Sequence, residues 1–139
     1  MSETAEDKIL NTTQNAFRAT CELLSIDPST VNANFHLITA AEIKNLNNIY
    51  RGKDSVTDTL SFPLLEIVAG EKPTVEKFPY DINPDTNKLE LGDIMVCEDE
   101  AEIAFLYVHS LLHLFGYSHD TESDYDAMMQ LTQKIMEAI

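Results

Sequence analysis

The chain is short of cysteine, of positive charge and of long apolar runs, and each shortage excludes something. It has two cysteines among 139 residues. Cys21 and Cys97 stand far apart and form no CxxC pair, so they read as two buried free thiols, which suits a reducing compartment. No apolar run is long enough to span a membrane. The opening MSETAEDKIL is acidic and polar, the opposite of a signal peptide. By elimination the expected location is cytoplasmic, with no membrane partner. Nine lysines and arginines face 24 acidic residues, for a net charge of -15. Nucleic-acid binders are usually basic, and this chain repels RNA and DNA at long range. Any role on nucleic acid therefore needs a local basic site or a partner that supplies the charge. Repeats and low-complexity tracts are also missing.

What remains is ordinary globular material. Hydrophobic residues make up 44% and charged residues 24%, near the average for folded domains. A chain of this length buries a real core without disulfides or a structural metal, so residues 1–139 are expected to form one domain. Thr4-Ala-Glu-Asp7 reads as a capping box. The helix it opens carries Ile9, Leu10, Ala16, Phe17, Leu23 and Leu24 and ends before Pro28. Asn34–Thr39 is a strand candidate. Thr39-Ala-Ala-Glu42 caps a second helix bearing Ile43, Leu46, Ile49 and Tyr50, which ends near Arg51-Gly52. Strands are expected at Asp58–Phe62, stopped by Pro63, and at Leu89–Cys97. Between them, residues 69–88 hold Pro73, Pro79 and Pro84 and read as a long excursion of the functional or mobile kind.

The segment from Glu100 to Phe115 is apolar on nearly every face, which predicts a central, buried helix. Glu98, Asp99, Glu100 and Glu102 suit its positive N-terminal end. Gly116 ends it in the left-handed conformation. Thr121 caps a last amphipathic helix with Tyr125, Met128, Met129, Ile135 and Met136. The sum is an α+β domain, a small mixed sheet packed with several helices.

Three of the four histidines fall on that central helix and the turn after it. His109 and His113 are four apart and share a helix face. Gly116 lets the chain turn, and His119 then swings back to the same point. Three imidazoles leave the fourth position that a catalytic zinc keeps open, whereas a structural site closes with another protein ligand. Buried imidazoles without partners are costly, so metal binding is preferred to packing as the reason for this cluster. One Zn2+ per chain is expected on His109, His113 and His119. His36, alone in a strand, receives no role. The spacing matches the HExxHxxGxxH pattern of zinc proteases except at Ser110, where the general-base glutamate belongs. That mismatch argues against peptide hydrolysis.

A second unusual stretch is Leu46-Asn-Asn-Ile-Tyr-Arg51-Gly-Lys53-Asp54-Ser-Val-Thr57-Asp58-Thr-Leu-Ser61-Phe62-Pro63. On its own it reads as a solvated turn with surface ion pairs. Together with His109-Ser-Leu-Leu-His113-Leu-Phe-Gly116-Tyr117-Ser-His119 and Leu91-Gly92-Asp93-Ile94, it resembles the YbeY family of bacterial endoribonucleases. That family carries motifs close to LNxxYRxxDxPTDVLSFP, LGDI and HGxLHLxGYDH. The matches run in order from residue 46 to 119. Ser110 replaces the family's usual glycine, Val56 its proline and Ser118 its aspartate, and none of these removes a metal ligand. Asp120 is placed to substitute for the missing carboxylate at 118.

The resemblance implies a metal-dependent, single-strand-specific endoribonuclease of rRNA maturation and ribosome quality control. Its implied partners are rRNA and the small ribosomal subunit, with no DNA expected. Phosphodiester cleavage concentrates negative charge in the transition state, and an arginine answers that charge bidentately. Arg51 is the candidate catalytic residue and Lys53 a weaker substrate-binding one. The general base and the nucleophile stay open. Two other readings remain: hydrolysis of another phosphoester, or a non-catalytic ribosome assembly factor with a structural zinc.

Overall fold

Three helix starts are set by a threonine hydroxyl that accepts from an orphan amide. A computed structural model describes residues 4–139. The Thr4 side chain accepts from the Asp7 amide and the Asp7 carboxylate from the Thr4 amide, which opens α1 (Ala5–Leu23). The same reciprocal pair joins Thr39 and Glu42 at the start of α2 (Ala40–Arg51). Such pairs satisfy donors that the helix itself leaves free. Thr121 accepts from Asp124 and starts α4 (Glu122–Ala138). Between α3 (Ile103–Leu114) and its acidic run the structure differs from expectation. Glu98 donates its amide to Ile38 O and Glu100 to Cys97 O, so residues 98–102 are committed to a turn and the helix starts later. Glu102 caps it without a side-chain hydrogen bond.

The strands are β1 (Val31–Ile38), β2 (Thr59–Pro63), β3 (Ile82–Asn83) and β4 (Lys88–Cys97). β4 is central. β1 runs parallel to it on one side, and β2 antiparallel on the other. β3 pairs with the first residues of β4. The excursion over 69–88 is therefore partly sheet. β1 begins three residues earlier than its apolar pattern indicates, because Asn32 finds partners. Its amide donates to Glu90 Oε2 at 2.8 Å and to Asn34 Oδ1 at 3.1 Å.

Alternation along β4, offset by the register shift between Glu90 and Gly92, sends Leu89, Leu91, Ile94 and Val96 to one face, where they join α1, α3 and α4 in the main core. Met95 and Cys97 lie on the other with Leu60, Phe62 and Ile43 of α2. α3 is buried nearly all round, with Tyr107, Val108, Ser110, Leu111, Leu112 and Leu114 all covered. The expected α+β architecture, with the histidines on a central helix, is what the structure has. Both cysteines are free and buried, and burial pushes the Cys21 thiol up to about 12. No helix among the described residues is long and apolar enough to cross a membrane.

Two details depart from simple amphipathic patterns. On α1, Thr13 and Thr20 are buried while Leu10 and Leu23 are exposed. Each threonine hydroxyl donates to a carbonyl of its own helix, Leu10 O and Ala16 O, so it enters the core already satisfied. On α2, Ile49 and Tyr50 are exposed and Asn47 is buried, its amide donating to Ser55 O at 3.0 Å. That bond ties the end of α2 to the loop leading into β2.

Candidate metal centre and cleft

α3 delivers His109 and His113 one turn apart, and the chain must then reverse within a few residues to deliver His119. Gly116 makes the reversal, at φ +95°. A Cβ at that position would sit 2.1 Å from Ile67 O, so the residue is glycine both for its backbone angle and for the loop lying against it. The three rings converge. Centroids are 5.0 Å apart for His109–His113, 5.1 Å for His113–His119 and 5.9 Å for His109–His119. One ligand atom from each ring lies within 4.8 Å of the others. His109 and His113 are half-buried and His119 is exposed, so the cluster opens to solvent on one side.

The protonation states suit a cation. Burial lowers the pKa of both His109 and His113, and the neighbouring rings lower it further. Asp58 opposes the shift at His109, and at His113 the Tyr117 bond and Asp120 do so. Both rings are therefore neutral at pH 7, the form that binds metal. His113 Nδ1 lies 2.9 Å from Tyr117 O. A carbonyl only accepts, so Nδ1 carries the proton and Nε2 keeps its lone pair. His109 Nδ1 is buried with no hydrogen-bond partner, a costly arrangement for an imidazole left to itself. Three imidazoles with an open side are the donor set of a zinc-class cation. The residues present fit one.

The cluster forms one wall of a cleft of about 860 Å³. Arg51, at the end of α2, lines the same cleft, and so do Tyr50, Asp58, Thr59 and Ser61. The fold thus brings together the two motifs that are about 60 residues apart in the chain. Lys53 is exposed and stands outside the lining. Tyr50 is held edge-on against Phe62, with centroids 5.1 Å apart, which fixes the backbone beside Arg51. His36 pairs with Asp93 at 3.1 Å on the sheet, away from the cleft.

Ser110 is 1% exposed, and its hydroxyl lies 2.8 Å from Thr59 Oγ1. Thr59 spends its one proton on Met95 O at 2.8 Å, so Ser110 is the donor to Thr59. The added oxygen relative to glycine is satisfied by β2 and ties the histidine helix to the sheet. Asp58 is the cleft residue that reasoning from residue types alone passed over. One of its oxygens accepts from the Thr59 amide at 2.7 Å. The signal for it was its place in the Thr57-Asp58 motif.

The fold and site define a small mixed-sheet α+β protein with three converging histidines that could hold a metal ion, beside an arginine-bearing cleft. Comparison gives the family. The family model "Endoribonuclease YbeY" matches residues 1–139. Proteins of that name in Phytoplasma australiense and Caldanaerobacter subterraneus subsp. tengcongensis are 35% and 38% identical. The aligned stretches cover 78% and 70% of this chain, and 76% and 67% of those proteins. A solution structure of TM1509 from Thermotoga maritima is similar over 98% of this chain and 87% of its own, with TM-score 0.53 and 23% identity, which bears on the fold. The chain belongs to the endoribonuclease YbeY family.

Proposed function

We propose that this chain is a zinc-dependent, single-strand-specific endoribonuclease acting in rRNA maturation and ribosome quality control. One zinc per chain sits on His109, His113 and His119, and the partners are rRNA and the small ribosomal subunit in the cytoplasm. The observation that carries the reading is that one cleft is lined by all three histidines and by Arg51.

A bound zinc-class cation supplies Lewis acidity toward a phosphoryl oxygen and acidifies water at neutral pH. The chain does the rest. His113 is oriented by Tyr117 O, and the low pKa of His109 and His113 keeps them unprotonated. Arg51 places a guanidinium at the other wall, where a two-pronged contact holds the scissile phosphate and answers the charge that grows on it. Lys53, outside the lining, adds only long-range attraction. Phe62, Pro63 and Leu106 add apolar surface to the cleft lining. The lack of a protease glutamate at position 110 supports phosphodiesters over peptides, because a buried hydroxyl bonded to Thr59 cannot serve as a base at pH 7.

The net charge of -15 favours a second reading, a ribosome assembly factor with a structural zinc. Cleavage of a single-stranded RNA by nuclease-free protein, with and without chelator, decides between them. The nuclease reading expects cleavage that stops with chelator and returns with zinc. An assembly factor cleaves under neither condition.

A further inference from the structure

A second cleft, of about 550 Å³, lies between α1, the start of β1 and the start of β4. It shares no lining residue with the histidine cleft. Its volume is in the range of small-molecule sites. Phe17 and Phe35 wall it, and Tyr107 of α3 forms its base. The Tyr107 ring packs edge-to-face on Phe35, with centroids 5.4 Å apart. Tyr107 is 3% exposed, and its hydroxyl has no hydrogen-bond partner among the described residues. The hydroxyl is not one of the sealed, unpartnered polar atoms of the core, and Tyr107 lines the cleft, so its donor is open to an acceptor on a ligand. Burial raises its pKa, so the proton to donate is present at any ordinary pH.

Two further features define that ligand. Asn32 spends its amide hydrogens on Glu90 and Asn34, which leaves its Oδ1 as an acceptor on the same cleft. Arg18 and Lys88 also line the cleft, neither with an ion-pair partner among the described residues. Two of only nine cations in a strongly acidic chain therefore meet at one cavity. The ligand is then a flat apolar body with both an acceptor and a donor on its edge and an anionic group attached. A nucleotide has all of these.

We propose that this cleft binds a single nucleotide, its base between Phe17 and Phe35 against Tyr107 and Asn32, and its phosphate on Arg18 and Lys88. The nucleotide is either a free nucleoside monophosphate or one unit of a single-stranded RNA. The choice of a nucleotide over other anionic aromatics rests partly on the nuclease reading, so the test measures binding and not cleavage.

AMP is titrated calorimetrically into wild type, Tyr107→Phe and the double variant Arg18→Glu with Lys88→Glu. Wild type is expected to bind AMP saturably at this cleft. The charge-reversed protein should bind roughly tenfold more weakly or worse, since charge-assisted hydrogen bonds are lost. Tyr107→Phe keeps the ring and its packing, so it reports even where charge reversal disturbs folding, and a several-fold loss is expected. Phenyl phosphate, which lacks the base edge, should bind more weakly than AMP. A non-cleavable 2′-O-methyl decamer assigns the source: weakened with AMP in the charge-reversed protein, the pocket holds a strand; unchanged while AMP binding falls, it holds the free nucleotide. The proposal is overturned if wild type shows no saturable AMP binding, if AMP binds equally to wild type and Tyr107→Phe, or if phenyl phosphate binds as well as AMP. AMP binding that follows this pattern in a protein without nuclease activity leaves the pocket standing and removes the nuclease reading.

Discussion

The two walls of the histidine cleft are built on opposite plans. On one, His109 and His113 project from a helix whose neighbours are buried on nearly every side, and His113 is pinned by Tyr117 O. On the other, Arg51 stands at the last turn of α2, exposed, followed by Gly52 at φ +67° and an exposed loop. The first wall is fixed before any ligand arrives, as a cation site must be if its donors are to stay deprotonated and aimed. The second is exposed to solvent, which leaves its guanidinium open to a phosphate. Labour is thus divided between a rigid wall that sets chemistry and an exposed wall that recognises charge.

The largest effect that tests this division is His113→Ala. Metal analysis of wild type is expected to give one zinc-class ion per chain, and the variant none, with RNA cleavage reduced to a small residual rate. Equal metal in both proteins removes the rigid wall from the account. Next is Arg51→Ala. Metal content and Tm should stay at wild type, since an exposed cation contributes about 0–1 kcal/mol to stability. Cleavage should fall roughly 100-fold or more. Lysine at position 51 should rescue only part, because an ammonium is a point charge. A wild-type cleavage rate in Arg51→Ala shows the exposed wall to be a bystander.

The rigid wall also leaves a mark on stability. The folded pKa of His109 and His113 lies below the ordinary value of 6.5, so the unfolded chain takes up protons first. Stability of metal-free protein is therefore full above that value and falls as pH drops through it and below. Denaturant melts between pH 8 and 5 read the slope. A flat profile means the rings are not held neutral by burial. The smallest effect is Ser110→Ala. It removes one donor to Thr59 while leaving Thr59 bonded to Met95 O, and should lower stability by about 1 kcal/mol with metal retained.

The rigid wall was the legible one. His109 and His113 follow from helical spacing, and Gly116 and His119 from the turn that spacing requires. All of that is local in sequence, where residue type and periodicity speak directly. Arg51 is different. As a single residue it reads as a surface charge, and only the match of a whole motif pointed to it. The buried Thr13 and Thr20 were invisible because a polar residue that satisfies itself on nearby backbone looks like any other polar residue. The Ser110–Thr59 contact and the cleft under Tyr107 need elements tens of residues apart, which no local pattern encodes. Lys53 carried the right charge but sits outside the lining.

The central claim is that the histidine wall and Arg51 form one site, and single-turnover cleavage of a single-stranded RNA by four proteins tests it: wild type, Arg51→Ala, His113→Ala and the double variant. Groups that act as a unit are non-additive, so the double variant is predicted to be no slower than His113→Ala alone. A double variant slower than His113→Ala by the full Arg51→Ala factor contradicts the claim, because the two walls then act independently.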